Sequence, residues 1–154
     1  YNFNAIHLLL ANVYGPGMDF GDNSYVIPAL IKKIKDAKAS DKDFIDVWGS
    51  GRPKRDFLYV EDAIEGILLA AEKYNKSEPV NIGSGKDISI NRLAKILCRL
   101  MDFQGRIKFD NSKPDGQMRR LLDISRAKNE FGFSPKTDFR AGLIKTVNAY
   151  EDYK

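Results

Sequence analysis

The residues best suited to bind a charged ligand lie in the segment WGSGRPKRDFLYVEDAIEG, from Trp48 to Gly66. Its basic residues are Arg52, Lys54 and Arg55, which follow a Gly-Ser-Gly turn and precede an apolar run. A guanidinium group can bind phosphate through two parallel hydrogen bonds, and it keeps its charge at neutral pH. These residues could form a phosphate-binding turn beside the Trp48 indole, but composition alone favours a solvated basic surface.

A second basic pair, Arg119 and Arg120, ends the polar loop DNSKPDGQMRR, whose Pro-Asp-Gly sequence predicts a turn. This pair is again typical of either a ligand clamp or a solvated surface. No segment matches a phosphate-binding lysine loop or a Gly-x-Gly-x-x-Gly dinucleotide fingerprint. The Gly-Ser-Gly turns that begin at Gly49 and Gly83 are more often simple chain reversals than anion cradles.

Histidine and cysteine are too scarce for a metal centre. The only histidine, His7, lies in a strand-like run and is expected to be a packed or edge residue. The only cysteine, Cys98, lies in the helical pattern INRLAKILCRLM and is expected to be a buried thiol. We therefore expect no metal site and no internal disulfide, and a lone buried thiol fits a cytoplasmic protein.

The composition fits one compact domain of 154 residues, with 43% hydrophobic and 30% charged residues. The net charge of +4 is spread along the chain, whereas nucleic-acid binding normally needs a clustered basic face. The longest apolar run, IHLLLA, is too short to cross a bilayer, and no signal peptide is recognisable. We expect neither a nucleic-acid nor a membrane partner.

Short strands and amphipathic helices alternate along the chain and must position these residues. We expect strands at 6–11, in FIDVW, at 57–60, in PVNIG and in RIKF, the first covered on both faces as in a parallel sheet. The main helices are expected at about 25–38, after Glu61 and Asp62, and after Ser89. The second of these helices has an apolar stripe that should be buried, formed by Ile64, Ile67, Leu68 and Ala71.

Two further helices are predicted near the end of the chain. Ser125 should cap a short helix that ends at Gly132, and Thr137 should cap the last one. The alternation makes the fold α/β, but consecutive βαβ units are few. The residues alone leave open whether this is part of a larger α/β protein or a small α+β lobe.

Five segments together resemble a known family: NVYGPG, NSYVIPALIKK, VWGSGRPKRDFLYVEDA, VNIGSGKDISI and FDNSKPDGQMRRLLDISRAK. They are similar, in order and over nearly the whole chain, to the C-terminal part of the extended short-chain dehydrogenase/reductases that act on nucleotide sugars. The combination of WGSGRPKRDFLYVED with SKPDGQMRRLLD is typical of the GDP-L-fucose synthase branch, the GDP-4-keto-6-deoxymannose epimerase/reductases.

The resemblance implies a substrate-binding lobe together with the last strands and helices of a Rossmann-like domain. Residues 1–12 would contain a Rossmann sheet strand, and the rest of 1–154 would be the substrate-binding part. The N-terminal Rossmann core, with its NADP loop, catalytic serine and Tyr-x-x-x-Lys pair, would precede Tyr1. The resemblance thus implies an intact NADP-dependent, homodimeric cytoplasmic enzyme, with this fragment inactive by itself.

The resemblance also implies roles for three polar or aromatic residues. Arg55 matches the arginine expected at the diphosphate, and Trp48 matches a tryptophan that lines the sugar-nucleotide cleft. Asn12 matches an asparagine near the sugar and the cofactor, so it is both a substrate-binding and a cofactor-binding candidate. Diphosphate needs fixed cations and a sugar or base needs an apolar wall, which agrees with these residue types.

The remaining substrate-binding candidates come from the first predicted helix and the second basic pair. Val26 and Leu30 match helix residues that lie against the guanine nucleotide, and Lys33 occupies a position that is usually basic. Arg120 matches a basic residue, commonly lysine, that reaches the nucleotide portion. The substrate that these matches imply is a GDP-sugar.

Tyr25 is the one catalytic candidate in the chain. It stands where the family has the histidine that acts as an acid in epimerisation. A histidine titrates near neutral pH, whereas the ordinary pKa of tyrosine is about 10. Tyrosine can still donate a proton, so the substitution implies either an altered epimerisation or a GDP-4-keto sugar C4-reductase without an epimerase step.

Two other functions remain open from the sequence. One is another nucleotide-sugar epimerase or dehydratase that uses UDP or dTDP, and a nucleotide-binding panel would distinguish it. The other, from a different class, is a non-catalytic nucleotide-binding module. A preceding Gly-rich loop and Tyr-x-x-x-Lys pair would favour the enzyme over the module.

Overall fold

The computed structural model describes residues 5–21 and 24–151, so the first residues of the predicted strand-containing segment 1–12 lie outside the described part. The elements are β1 (Leu8–Leu10), β2 (Asn12–Tyr14), α1 (Val26–Ala39), β3 (Phe44–Trp48), β4 (Lys54–Tyr59), α2 (Val60–Lys73), β5 (Val80–Ile82), β6 (Asp87–Ser89), α3 (Ile90–Leu100), β7 (Arg106–Asp110), β8 (Arg119–Arg120), α4 (Ser125–Phe131) and α5 (Phe139–Glu151). The α/β prediction is confirmed.

Three small sheets hold the strands, and most of the pairings are parallel. β1 pairs with β5 and β3 pairs with β7, both in parallel. β4 is the centre of the third sheet: its apolar second half lies beside β2 in parallel, while its polar first half lies between antiparallel β6 and parallel β8. β4 therefore carries residues of the predicted phosphate-binding turn into the middle of a sheet.

The core is divided into two clusters of buried side chains. The larger one is built mainly from α1, α3 and β3, through residues such as Ile31, Ile34 and Leu97. The smaller one joins β5 to α2 and α4, with Val80 and Phe131 among its members. The periodic apolar residues of α1 and α3 therefore lie on the buried faces of these helices.

Two burial predictions are wrong: β1 was expected to be covered on both faces, and the apolar stripe of α2 was expected to be buried. Leu9 and Leu10 point to opposite faces of β1 and are 53% and 40% exposed, so the described residues cover the two faces only in part. In α2 the predicted stripe faces outward: Ile64, Ile67 and Leu68 are 51%, 39% and 64% exposed.

Small residues form the buried face of α2 instead. They include Ala63, Gly66 and Ala70. A Cβ added at Gly66 would lie 2.8 Å from Ile82 Cγ2 and 3.0 Å from the Phe133 ring. The helix therefore approaches β5 too closely for large side chains, and the apolar residues are left on the opposite face.

Helix ends confirm some capping predictions and correct others. Ser89 caps α3, since its hydroxyl accepts a hydrogen bond from Arg92 N at 3.2 Å, and Gly132 ends α4 in the left-handed conformation, at φ 76°. Ser125 does not cap α4; it is the first helical residue, and its N–H donates to Asp123 Oδ1 at 2.8 Å.

The predicted cap of α5 is also wrong. Asp138 directly precedes α5, and its Oδ1 accepts a hydrogen bond from Ala141 N at 3.0 Å. The side chain of Asp138, rather than that of Thr137, therefore caps the helix. The backbone N–H of Thr137 instead donates to Asp62 Oδ2, also at 3.0 Å.

β4 begins earlier than predicted, and three strands, β2, β6 and β8, were not predicted at all. The strand prediction began at Phe57, whereas the observed strand begins at Lys54 because its first residues pair with β6 and β8. β6 and β8 are polar and very short, so they lack the apolar alternation that predicts a strand. Their pairing with β4 is what gives them extended structure.

Predictions for the lone histidine and cysteine can be compared directly with the structure. His7 is exposed and its backbone oxygen accepts from Val80 N at 2.9 Å, so it is an edge residue. Cys98 is buried as predicted, and burial raises the pKa of its thiol. None of the helices in 5–21 and 24–151 is long and apolar enough to span a membrane.

Candidate functional site

A cavity of about 440 Å³ opens between the start of α1, the end of β3 and the first half of β4. Its walls include seven of the eight residues singled out in the sequence: Asn12, Tyr25, Val26, Leu30, Lys33, Trp48 and Arg55. These residues come from three separate parts of the chain, and the parallel β2–β4 pairing is what brings Asn12 close to β4.

The eighth residue, Arg120, lines an adjoining cavity of about 350 Å³. Asn12, Tyr25 and Val26 line both cavities, so the two are neighbouring parts of one recess. We call the two cavities together the main recess. It has an aromatic and apolar wall near Trp48 and polar groups near Asn12 and Arg120.

The indole of Trp48 projects from the end of β3 and is 69% exposed. Lys33 Nζ and Lys113 Nζ lie 5.6 and 5.7 Å from its ring centroid, within the range of a cation–π interaction. Lys33 is held there because its ammonium group donates to the Asp46 backbone oxygen at 2.7 Å. The rim thus offers a flat ring for stacking with positive charge beside it.

Arg55 is half-buried and held by backbone groups. Its Nη1 donates to the Gln117 oxygen at 2.6 Å and to the Lys54 oxygen at 2.8 Å. In the described part of the chain, no carboxylate forms an ion pair with Arg55. A guanidinium that is oriented by neutral carbonyls keeps its full charge for a ligand.

The neighbouring basic residues behave differently, so the basic cluster of the sequence is not a single clamp. Arg52 Nε donates to Ser50 Oγ at 3.2 Å, and Lys54 Nζ lies 3.9 Å from Asp87 Oδ1. Arg119 pairs with Asp87 at 2.5 Å, whereas Arg120 has no ion-pair partner among the described residues. Each predicted basic group therefore contributes to the main recess one arginine that has no ion-pair partner among the described residues. This is Arg55 in the first group and Arg120 in the second.

The Gly49–Gly51 turn already holds an anion of its own. Ser50 donates its N–H to Asp115 Oδ1 at 2.6 Å and its hydroxyl to Asp115 Oδ2 at 2.7 Å, and these bonds lower the pKa of Asp115. Gly49 has φ 76°, and a Cβ there would lie 2.4 Å from Asp115 Oδ1. These bonds therefore hold the 110–118 loop against the turn that follows β3.

Asn12 has a fixed orientation at the junction of the two cavities. Its Nδ2 donates to the Asp56 backbone oxygen at 2.8 Å, which leaves its Oδ1 as an acceptor. The buried Asp56 carboxylate in turn accepts the N–H and hydroxyl of Ser84 at 2.9 and 2.5 Å. These bonds tie β2, β4 and the β5–β6 turn together beneath the recess.

Tyr25 lies at the mouth of the main recess and lines both of its cavities. It is the N-cap residue of α1, and its side chain is 78% exposed and makes no capping hydrogen bond. Its hydroxyl is thus available for proton transfer to a ligand in the recess.

Three site residues were missed by the sequence analysis. Ser24 has a buried hydroxyl without a partner in the described part of the chain, and it lines the larger cavity of the recess. A serine before a helix usually indicates a cap, so its sequence position gave no signal of this. Lys113 and Asp115 belong to the SKPDG loop, whose turn was predicted although its folding back onto Trp48 and Ser50 was not.

Comparisons with known proteins identify the family. A model of the NAD-dependent epimerase/dehydratase family matches residues 1–83, more than half of the chain. A GDP-L-fucose synthase of Sinorhizobium fredii is 44% identical over 151 residues, which are 97% of this chain and 48% of the relative. A probable GDP-L-fucose synthase 1 of rice (Oryza sativa subsp. japonica) is 40% identical over 97% of this chain and 46% of its own length.

A solved structure gives the same result. The GDP-L-fucose synthetase of Naegleria fowleri bound to NADP superimposes with a TM-score of 0.89 at 28% identity, over 96% of this chain and 47% of that one. The chain thus spans about half the length of the relatives that it matches. The family match and these relatives show that the chain belongs to the NAD-dependent epimerase/dehydratase family.

Proposed function

We propose that this chain is the substrate-binding part of an NADP-dependent epimerase/reductase that acts on a GDP-4-keto-6-deoxy sugar. The observation that carries the proposal is that Arg55 and Arg120, both without carboxylate partners in the described residues, line one recess beside an exposed Trp48. The GDP-L-fucose synthases among its relatives support the choice of a GDP-sugar.

Each part of a nucleotide sugar has a matching part of the recess. The guanine base would lie against the wall formed by Val26, Leu30 and Trp48, with Lys33 and Lys113 near the ring. The diphosphate would bind the fixed guanidinium of Arg55, and Arg120 would supply a second cation from the adjoining cavity. The sugar would then reach Asn12 and Tyr25.

Asn12 is the residue of this chain that would contact the cofactor. With its amide nitrogen already bound to Asp56, its free Oδ1 fits an amide donor such as the carboxamide of a nicotinamide ring. NADPH, when bound, supplies the hydride that reduces the 4-keto group. The binding loop for this cofactor and the Tyr-x-x-x-Lys pair would belong to the part of the relatives' length that this chain does not span.

Tyr25 would return a proton to the sugar during epimerisation at C3 or C5. Its exposed hydroxyl lines the recess and can donate a hydrogen bond or a proton to a ligand there. Because a tyrosine stands where the family has a histidine, a second candidate is a GDP-4-keto sugar C4-reductase without an epimerase step. The homodimeric state and cytoplasmic location remain predictions.

A calorimetric nucleotide panel tests the proposal. We expect GDP to bind this chain at least about tenfold more tightly than UDP or dTDP, because the base differs in shape and hydrogen-bonding groups. A preference for UDP or dTDP would replace the GDP assignment by another nucleotide-sugar enzyme. Equal binding of all three would contradict recognition of the base by the Trp48 wall.

A further inference from the structure

A third cavity, of about 480 Å³, lies on the other side of Tyr14 and Phe57 from the main recess. These two rings line both this cavity and the Arg120 cavity, so they form the wall between them. The remaining walls come from the β5–β6 turn, α3, α4 and the segment before α5. We call this cavity the second cleft. It shares no basic residue with the main recess.

Three basic side chains line the second cleft: Lys86, Arg92 and Lys128. All three residues are exposed, and no side-chain hydrogen bond or ion pair joins their charged groups to another described residue. They come from three different elements, the β5–β6 turn, α3 and α4. The fold, rather than local sequence, therefore brings them to one opening.

The carboxylates of the second cleft, in contrast, already have partners. Asp62 accepts the N–H groups of Lys136 and Thr137, each at 3.0 Å. Asp87 pairs with Arg119 at 2.5 Å, which lowers its pKa, and Asp138 caps α5. Only Asp87 among them is paired with a cation, whereas Asp62 and Asp138 are bound by neutral N–H groups and keep their negative charge. The three basic residues therefore leave the cleft with a small excess of positive charge.

The second cleft also has an aromatic floor. Phe57 and Phe139 stack with ring centroids 5.9 Å apart, and both line the cleft together with Tyr59. The volume lies within the range of about 300–1,000 Å³ that small-molecule sites occupy. An apolar floor below unpaired cations suits a ligand that has a flat or apolar part and an anionic group.

We propose that the second cleft is a binding site for a small phosphorylated ligand, separate from the nucleotide-sugar recess. A phosphate group presents several oxygens and can take hydrogen bonds from more than one cation at once, and three basic residues line this cleft. This proposal does not depend on the proposed function, since none of its cations lines the main recess.

Inorganic pyrophosphate is the probe, titrated calorimetrically into Arg55→Ala/Arg120→Ala protein so that the main recess cannot contribute its cations. We expect binding, and at least about tenfold weaker binding when Lys86→Gln, Arg92→Gln and Lys128→Gln are added, because hydrogen bonds to charged groups are lost. The matched control is Lys42→Gln, Lys95→Gln and Arg99→Gln, which removes the same charge from residues that line none of the cavities described here.

Each outcome decides the proposal. Loss of binding in the cleft variant alone, with unchanged circular dichroism, supports it. Equal loss in both charge-matched variants would mean that pyrophosphate responds only to net charge, and the proposal would be wrong. Undiminished binding in the cleft variant, or no binding to the starting protein at millimolar pyrophosphate, would also overturn it.

Discussion

Asp115 shows how a single carboxylate can shape the main recess. It fixes Ser50 through two hydrogen bonds and thereby holds the 110–118 loop against the end of β3. The same loop provides the Gln117 carbonyl that orients Arg55. We therefore expect Asp115 to be a positioning residue, which would act on a bound nucleotide through Arg55 and Trp48.

Replacing Asp115 should weaken GDP binding without removing any of the proposed cations. For Asp115→Ala we expect about a three- to tenfold loss of affinity, since Arg55 loses its fixed orientation. Calorimetry with GDP measures this, and Asp43→Ala is the control because Asp43 pairs with Arg106 on the exposed surface. Equal GDP affinity in Asp115→Ala and the unaltered chain would contradict the positioning role.

The same carboxylate should contribute to stability in a pH-dependent way. The Ser50 hydrogen bonds hold the pKa of Asp115 below the ordinary aspartate value of 3.8, so the folded state favours the charged form. This stability is present above 3.8 and is lost as the pH falls through the lower folded-state pKa. Urea midpoints measured across that acidic window should fall less for Asp115→Asn than for the unaltered chain. An identical fall in both proteins would refute the linkage.

At the scale of elements, the helices and strands that could be predicted from the sequence are those with periodic apolar residues. α1, α3, β3 and β7 follow from their patterns, and seven of the eight chosen site residues do line one cavity. Charge pairing could not be predicted: Arg119 and Arg120 are adjacent and alike, and only their positions on β8 decide which one meets Asp87. The unpartnered Ser24 hydroxyl likewise follows from packing alone.

The error in α2 has a clear physical origin and gives a stability test. Because α2 lies close to β5, the helix face with small residues is the one that is buried. The sequence does not show this, because the large apolar residues of α2 form a more obvious stripe on another face. We expect Gly66→Val to lower the free energy of unfolding by about 1–3 kcal/mol through overpacking. Leu68→Ala, at a position 64% exposed, should change it by less than about 0.5 kcal/mol. Urea denaturation compares the two, and a larger loss for Leu68→Ala would show that the predicted stripe is buried after all.

At the scale of the whole molecule, exposed apolar side chains lie on two elements that both contact β5. β1 pairs with β5 and carries Leu9 and Leu10, and α2 also contacts β5 and exposes Ile64 and Leu68. Large exposed apolar surfaces are uncommon on monomeric proteins and usually mark contacts with other protein surface. The chain also spans about half the length of its relatives.

We therefore expect this chain, studied alone, to self-associate as its concentration rises. Ile64→Lys/Leu68→Lys should shift it toward the monomer, because two ammonium groups would have to lose water in any contact through α2. Sedimentation velocity over a concentration series measures the effect. A monomer at every concentration, or association that the two lysines leave unchanged, would contradict the role of this surface.

The most direct test of the central claim is a calorimetric comparison of GDP binding by Arg55→Ala, Arg120→Ala and Arg119→Ala. Arg119 is the matched control, because it is adjacent to Arg120 but already paired with Asp87. We predict at least about tenfold weaker binding for Arg55→Ala and Arg120→Ala, and less than about a twofold change for Arg119→Ala. Binding that is unchanged in the first two variants, or reduced equally in all three, would contradict the assignment of the diphosphate to the unpaired arginines.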